Sequence, residues 1–555
     1  MLLYNKSSSF VKYGGTVMSY YSSDDPRSYS SGRIRPAAVI FWILIILAPF
    51  ISAALLQLLT GTSALRLDAW NTTWNDEVGY YRVIRLLRYE FYPRGMYGFN
   101  EDAPANLAYG PYNIFTYLPY FVLSFFTGVE NHNFIYYSNA ALTVLAGLFY
   151  VLLVRPRARE GFFTVLFLVT YLVAGRYVWS GMTESSYNFF LILFTALVLW
   201  MIRHPFAPAS SQKAALFAMI LIVFFWNTMR PYYFPLLLIP VYMIFRQKSA
   251  LSGGAKALFF LLCILSAAAS VGLFFFFTGY NVARYFFDST QTETLKQLLS
   301  TGSPVKMAEQ ILHANLDALR EIRGYLSDSR WAGGIPLLYF AQSVLLLILL
   351  IRSLFAGDKK RDGRCAVIFF MLLGGAAIYE ANVVLYSPVQ LHRMMLSVTL
   401  AYGLLLIELG GGKNRIGFER IAGEIALLAV MAFFVVRAPE NFRLPQIDAS
   451  TLSAKDEQAL EIEFRGILPL ENDPWDNTIA KLPESENLQW EYMLPTYTSL
   501  NVCQTAVLEK LLTDGSVRSK FVLLSEKSDL NKLCEKQKYR VVWQGYGRIM
   551  YQTRD

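Results

Sequence analysis

Long apolar runs separated by short basic segments occupy the chain between residues 37 and 436. A run of roughly 20 apolar residues is long enough to cross the hydrocarbon core of a bilayer as an α-helix. The runs 37–59 and 134–154 have this length, and several shorter runs follow them. The pattern therefore predicts an α-helical polytopic membrane protein.

The spacing of the runs predicts about eleven membrane spans in a transmembrane module that covers residues 37–436. The predicted spans are 37–59, 134–154, 162–178, 185–202, 213–229, 231–245, 256–278, 335–354, 365–380, 393–410 and 419–436. Two arginines precede the first span, and cytoplasmic loops are enriched in Lys and Arg. We therefore expect a cytoplasmic N-terminus, a disordered tail over 1–36, and two long external loops at 61–133 and 279–333.

Segment 110–128 is apolar enough to be a further span, but the charges that follow argue against it. The run 134–154 ends in a basic cluster over 155–159. If 110–128 also crossed the membrane, this cluster would lie outside, against the usual distribution of basic residues. We predict instead a helix that lies in the membrane interface.

Residues 437–555 differ in character from the membrane part. Short apolar runs at 521–524 and 539–543 predict strands, and 504–513 predicts a helix. We expect a small α/β domain, external because it follows the last outward span and large enough for a modest core. Four of its large aromatic residues either bind an acceptor glycan or pack in that core. They are Trp475, Trp490, Tyr492 and Tyr497.

The composition agrees with a membrane protein and excludes some classes of function. Hydrophobic residues make up 54% of the 555 positions and charged residues 16%, against roughly 25% charged residues in soluble domains. The net charge of +9 comes from basic loops beside apolar runs, so we expect a lipid bilayer and no nucleic acid as partner. Four cysteines are too few for a disulfide scaffold, and the pairing of Cys503 with Cys534 is left open.

The acidic pair Asp76 and Glu77 follows the first span, with Tyr80 and Tyr81 just after it. A carboxylate at the membrane surface can serve as the general base that deprotonates an acceptor hydroxyl. The alternative is a solvated pair that caps a short helix over 77–89. The pair alone does not decide between the two interpretations.

Basic residues at the external ends of spans are candidates for binding an anionic group. The candidates are Arg230, Arg284, His392 and Arg393. Arginine keeps its charge and binds phosphate through two parallel hydrogen bonds, and charges at membrane depth are costly and usually functional. The alternative for each is a side chain that reaches from the apolar region to the interface.

Glu184 is a candidate for binding the acceptor or a metal, and it suits the N-terminus of the following helix equally well. None of the four histidines has metal-ligand spacing with another ligand, and no HExxH or CxxC motif occurs. We therefore expect no cofactor and no metal. A divalent ion held by Asp76 and Glu184 is the open alternative.

Several short segments resemble the GT-C glycosyltransferases, membrane enzymes that take sugar from a polyprenyl-phosphate carrier. The segments are Asn75-Asp76-Glu77 with Tyr80-Tyr81, Tyr109-Gly110-Pro111-Tyr112, Met182-Thr183-Glu184, Thr228-Met229-Arg230-Pro231-Tyr232, Asp473-Pro474-Trp475-Asp476-Asn477-Thr478 and Ser519-Lys520-Phe521-Val522. The plan of residues 37–555 also resembles this family, in particular the bacterial group of protein mannosyltransferases and aminoarabinose transferases.

The resemblance implies a hexosyl- or pentosyltransferase at the outer face of the plasma membrane that inverts the anomeric centre. Its donor would be a polyprenyl-phosphate-linked sugar and its acceptor an envelope glycan, lipid or protein hydroxyl. The expected site residues are Asp76 and Glu77 for catalysis, Arg393, Arg230, Arg284 and His392 for the donor phosphate, and Glu184, Tyr80, Tyr81 and Tyr109 for acceptor or secondary contacts.

Three alternative functions follow from the same pattern. An O-antigen-type polymerase or ligase carries its key basic residues in large external loops, so an acidic pair after the first span argues against it. A transporter or flippase of lipid-linked sugars predicts internal repeats and polar residues within spans. The sequence shows no repeat, and the centres of the spans are nearly free of charge. A non-enzymatic envelope scaffold would tolerate the loss of Asp76.

Overall fold

In a computed structural model of the chain, most of the transmembrane part and the C-terminal domain are described. The described residues are 36–72, 75–90, 97–98, 101, 114–129, 131–246, 249–287, 300, 303–327, 334–355, 362–385, 391–410, 425, 429, 432–437, 439, 442–447, 451–468, 470–471, 473–483 and 489–554, with the side chains of 275–287 outside this set.

Six helices are long and apolar enough to cross a membrane. They are α5 (Phe134–Val154), α8 (Glu184–Arg203), α9 (Ala209–Met229), α11 (Gly253–Phe287), α13 (Gly334–Phe355) and α14 (Asp362–Leu385). Within the apolar window of α8, 72% of the residues are buried, against 22% in α11. Helix α8 therefore lies at the centre of the bundle and α11 at its edge.

Two further spans are broken into bent pairs of helices. Helices α1 (Pro36–Ile46) and α2 (Ala48–Thr60) meet at 69°, and α6 (Ala158–Thr170) and α7 (Leu172–Val178) at 64°. Pro49 stands at the start of α2, and proline has no N–H with which to continue a preceding helix. The described residues thus hold six to eight spans, so the predicted number of eleven is not confirmed.

The remaining helices of the membrane part are shorter or more polar. They are α3 (Asn75–Glu90), α4 (Ile114–Thr127), α10 (Leu238–Phe245), α12 (Pro304–Ser327), α15 (Leu391–Met394) and α16 (Leu396–Gly410). The helix predicted over 110–128 is present as α4, and its place in the interface stays a prediction. The predicted span 231–245 is a 3-10 segment followed by the short α10. Of the predicted span 419–436, most lies outside the described residues.

The C-terminal domain is α/β, as the sequence predicts. Its elements are α17 (Ala454–Ile467), β2 (Thr478–Lys481), α18 (Gln489–Met493), β3 (Ser499–Val502), α19 (Thr505–Asp514), β4 (Phe521–Ser525), α20 (Asn531–Lys536), β5 (Arg540–Gly545) and β6 (Arg548–Gln552). A further strand, β1 (Tyr97–Gly98), joins this sheet. The strand order is β1-β3-β2-β4-β6-β5, with β6 antiparallel to both neighbours and the other pairs parallel. Trp490 and Tyr492 are buried, so these two aromatics belong to the packing.

One strand of this sheet comes from the first long loop. Strand β1 (Tyr97–Gly98) pairs in parallel with β3. Close by, the buried Glu101 carboxylate accepts hydrogen bonds from the backbone N–H of Arg518 and Ser519, the Ser519 hydroxyl and the Asn501 amide. The loop after the first span is therefore part of the C-terminal sheet, although the sequence places the domain within 437–555.

Candidate active site

The acidic pair begins helix α3, and its two members point in different directions. Asp76 and Glu77 lie in the first turn of α3, where the helix dipole favours negative charge. Consecutive residues on a helix are about 100° apart around its axis. The Asp76 side chain is 31% exposed, whereas Glu77 is fully buried. The helix of the alternative interpretation is therefore present, but Glu77 is not solvated, and the role of Asp76 as a base stays a prediction.

The Arg393 side chain contacts two carboxylates, those of Asp76 and Glu184. Its Nη1 lies 3.2 Å from Asp76 Oδ2, and its Nε donates a hydrogen bond of 2.8 Å to Glu184 Oε1. The side chains of Arg393 and Glu184 are 10% and 3% exposed, so little water separates these charges. Three residues that the sequence identifies one by one thus form a single cluster. Glu184 also begins α8, and its carboxylate binds Arg393.

Arg230 brings a second guanidinium to the same place. It follows the last residue of α9 and is buried. Its Cζ lies 4.4 Å from the centre of the Tyr187 ring, a cation–π geometry, and its Nη1 contacts Met394 Sδ. Both guanidinium groups line a narrow cleft. Its lining residues are Glu184, Tyr187, Asn188, Arg230, Tyr233, Arg393 and Ser397.

Glu77 lies beside the cleft, inside the protein core. Its Oε2 accepts a 2.5 Å hydrogen bond from the Tyr136 hydroxyl. Burial raises the pKa of Glu77 above its ordinary value, and the nearby positive charge of Arg176 opposes this effect. Neither acid is among the lining residues of the cleft, but Asp76 contacts Arg393 whereas Glu77 is fully buried. The geometry of Glu77 therefore suits a support of Asp76 better than a second acid.

Helix α5 binds the segments that carry Glu77 and Glu184, a role that sequence analysis missed. Tyr136 binds Glu77, and one turn later the Asn139 amide donates hydrogen bonds of 2.7 and 2.8 Å to the carbonyls of Ser180 and Met182. These carbonyls belong to the turn that leads into Glu184. In the sequence, Tyr136 and Asn139 stand at the start of an apolar run. Polar groups at membrane depth are costly and usually functional, so this position is the signal that could have identified them.

The tyrosines after the acidic pair do not line the cleft. Tyr80 packs against Tyr117 with ring centres 6.0 Å apart. The Tyr81 hydroxyl donates to the carbonyl of Val129 at 2.9 Å, and its ring lies 5.2 Å from that of Tyr492. Both side chains are buried and attach α3 to its surroundings.

Three expected site residues have less defined places. His392 precedes Arg393 on α15 and is partly buried. Arg284 lies on α11, but its side chain is outside the described set, and Tyr109 is outside the described residues altogether. Their assignment to the site stays a prediction.

The Arg393 guanidinium lies between the carboxylates of Asp76 and Glu184. A divalent ion held by these two side chains was the alternative that the sequence left open. Among the residues that the structure describes, no group of three or more His, Cys, Asp and Glu side chains could hold a metal ion. The expectation that the protein needs no cofactor stays a prediction.

Comparisons with known proteins leave the function to be argued from the site. No family model and no curated protein matches the chain. Among solved structures it is similar to the crystal structure of ArnT from Cupriavidus metallidurans in the apo state, with 12% identity and a TM-score of 0.43. The similarity covers 93% of this chain and 97% of that chain. A likeness this weak does not decide what the protein does.

Proposed function

We propose that the chain is a GT-C-type membrane glycosyltransferase that moves a sugar from a polyprenyl-phosphate carrier to an envelope hydroxyl. The supporting observation is the cluster of Asp76, Glu184 and Arg393 beside Arg230. It combines a partly exposed carboxylate, which suits a base, with two arginines, which suit a phosphate. The finer expectation of an inverting enzyme at the outer membrane face is part of the proposal.

The proposed reaction is a direct displacement at the anomeric carbon. The acceptor oxygen forms a bond to this carbon while the bond from the carbon to the phosphate oxygen breaks. The electron pair of the broken bond stays on the phosphate oxygen, and the hydroxyl proton passes to the Asp76 carboxylate. Proton removal in the transition state by a well-placed base accelerates such steps by about 10²–10⁴-fold. The attack comes from the face opposite to the leaving phosphate, so the configuration is inverted.

Arg393 and Arg230 would stabilise the charge that develops on the leaving phosphate. A guanidinium binds phosphate with fixed, parallel N–H donors, and such donors are most effective where water is excluded. In the structure Arg393 binds Asp76 and Glu184. A donor phosphate that takes the place of Asp76 on Nη1 would leave Asp76 able to accept a proton, while Glu184 keeps the Arg393 side chain in position.

The test measures sugar transfer by the Asp76→Asn variant in membranes from cells that lack the native gene. A panel of radiolabelled polyprenyl-phosphate sugars serves as donors. Asparagine keeps the shape of the side chain but cannot act as a base, so transfer should fall by about 10²–10⁴-fold. The matched control is Asp317→Asn on α12, which removes an exposed carboxylate paired with Arg320 and should transfer normally. Equal transfer by Asp76→Asn and wild type would overturn the assignment of the base. Movement of the intact lipid-linked sugar, with no new glycosidic bond, would favour the flippase instead.

A further inference from the structure

The guanidinium of Arg82, on α3, is enclosed by backbone carbonyls of the C-terminal domain. Nη1 donates to Glu491 O at 2.9 Å and Leu494 O at 3.0 Å. Nη2 donates to Pro495 O at 2.9 Å and Thr498 O at 2.6 Å. All four N–H groups on the two Nη atoms are therefore used by one segment, at and just after the end of α18. The Arg82 side chain is only 3% exposed.

This arrangement is unusual for a buried charge. Burial lowers the pKa of Arg82 to about 10, while the negative charge of Glu491 acts in the opposite direction. The Glu491 carboxylate itself is bound by Lys481. A buried charge needs hydrogen-bond partners, and here backbone carbonyls accept the hydrogen bonds of both Nη atoms. The contact therefore depends on the exact fork of the arginine as well as on its charge.

Arg82 and Asp76 belong to the same rigid element. Helix α3 runs without a break from Asn75 to Glu90, so the position of Arg82 determines where its first turn lies. A neighbouring contact acts in the same sense, because the Tyr492 hydroxyl of α18 donates to Ala69 O at 3.1 Å, in the segment before α3. The C-terminal domain thus holds α3 at its middle and at its approach, although no residue of that domain lines the cleft described above.

We propose that Arg82 is a positioning residue through which the C-terminal domain sets Asp76 in place against Arg393. This inference rests on the proposed function. It assigns the domain an indirect part in the reaction, because a base displaced by about 1 Å can lose about 10²-fold in rate. The domain would act through α3 and would contact neither the sugar nor the phosphate.

The chain offers a matched control on the same helix. Arg85 lies one turn after Arg82 and also reaches the C-terminal domain, through a contact of 3.7 Å with Glu461. That pair is partly exposed, and exposed ion pairs contribute little to stability. Arg85 thus connects α3 to the C-terminal domain without hydrogen bonds to the backbone carbonyls that Arg82 binds. Replacing Arg85 by lysine therefore tests the loss of an arginine between the same two parts of the protein.

The experiment compares full-length Arg82→Lys and Arg85→Lys with wild type in two measurements. The first is transfer kinetics per folded molecule, with kcat and KM for the donor. The second is amide hydrogen exchange of residues 75–80, which needs no substrate. We expect Arg82→Lys to lower kcat at least tenfold, to change KM less than threefold, and to speed exchange in this first part of α3. Arg85→Lys should match wild type in both measurements.

Each outcome decides the inference. If Arg82 only stabilised the fold, Arg82→Lys would yield less folded protein, but kcat and exchange at 75–80 would match wild type, and the inference would fail. A change in KM without a change in kcat would also overturn it. If wild type transfers no sugar, the proposed function fails, and the exchange measurement alone shows whether the domain sets the start of α3.

Discussion

The Tyr136 hydroxyl donates a hydrogen bond of 2.5 Å to Glu77 Oε2, and both side chains are buried. This bond joins the first turn of α3 to helix α5. Because Asp76 precedes Glu77 directly, the same bond restricts where the candidate base can lie. Of two adjacent acids, Asp76 therefore contacts Arg393, and the buried Glu77 holds it in place.

The burial of Glu77 predicts a specific dependence of stability on pH. Burial raises its pKa in the folded chain above the ordinary value of 4.5. Below that value Glu77 is protonated in both the folded and unfolded states. As the pH rises from there through the raised pKa, the unfolded chain ionises first, so the folded state loses stability. Glutamine stays neutral throughout, so the melting temperature of wild type should fall relative to Glu77→Gln over this range.

The measurement is thermal unfolding of both proteins in the same detergent between about pH 4 and pH 8. All other titrating groups are shared, so their contributions cancel in the difference between the two proteins. A constant difference between Glu77→Gln and wild type over this range would contradict the prediction, because Glu77 would then ionise as freely in the folded chain as in the unfolded one.

Gly181 is predicted to be irreplaceable because Glu77 fills the space where its side chain would be. A Cβ at position 181 would lie 2.8 Å from Glu77 Cβ and 3.1 Å from Glu77 Oε2. Overpacking of this kind costs about 1–3 kcal/mol, and the shift should also displace Asp76. We expect Gly181→Ala to lower both the melting temperature and the transfer rate. The control is Gly324→Ala on α12, where an added Cβ would meet no atom of the described residues within 4 Å; it should be neutral or stabilising. An unchanged Gly181→Ala variant would argue against the close packing of the turn on α3.

The sequence identified the site residues better than their arrangement. Asp76, Glu184 and Arg393 each stood out as a charge at the end of an apolar run, but 317 positions separate Asp76 from Arg393. In a membrane protein the lipid-facing and the buried faces of a helix are both apolar. The hydrophobic pattern therefore cannot say which helix ends meet, and the cluster emerges only from the packing.

The parts of the fold that the sequence did not predict have similar causes. The predicted number of eleven spans is not confirmed, and it treats every apolar run as one straight helix, whereas two runs bend by more than 60°. Strand β1 has only two residues, too few for any alternation to be visible. Strand β4 was predictable as a short continuous apolar run, because its residues 521–524 are all buried. Helix α19 was predictable because Leu508 and Leu512 place its apolar face on the core.

Arg393 is predicted to require its planar fork in addition to its charge. Nη1 and Nε contact two different carboxylates, those of Asp76 and Glu184, and a lysine ammonium cannot reproduce two donors at this separation. We expect Arg393→Lys to lower kcat/KM for transfer by about 100-fold, the typical cost of losing one well-placed donor at a developing negative charge. Arg320→Lys, in the exposed pair with Asp317, should transfer like wild type and controls for the substitution itself. If Arg393→Lys retained full activity, positive charge alone would suffice, and the linkage of Arg393 to both acids would have no part in the reaction.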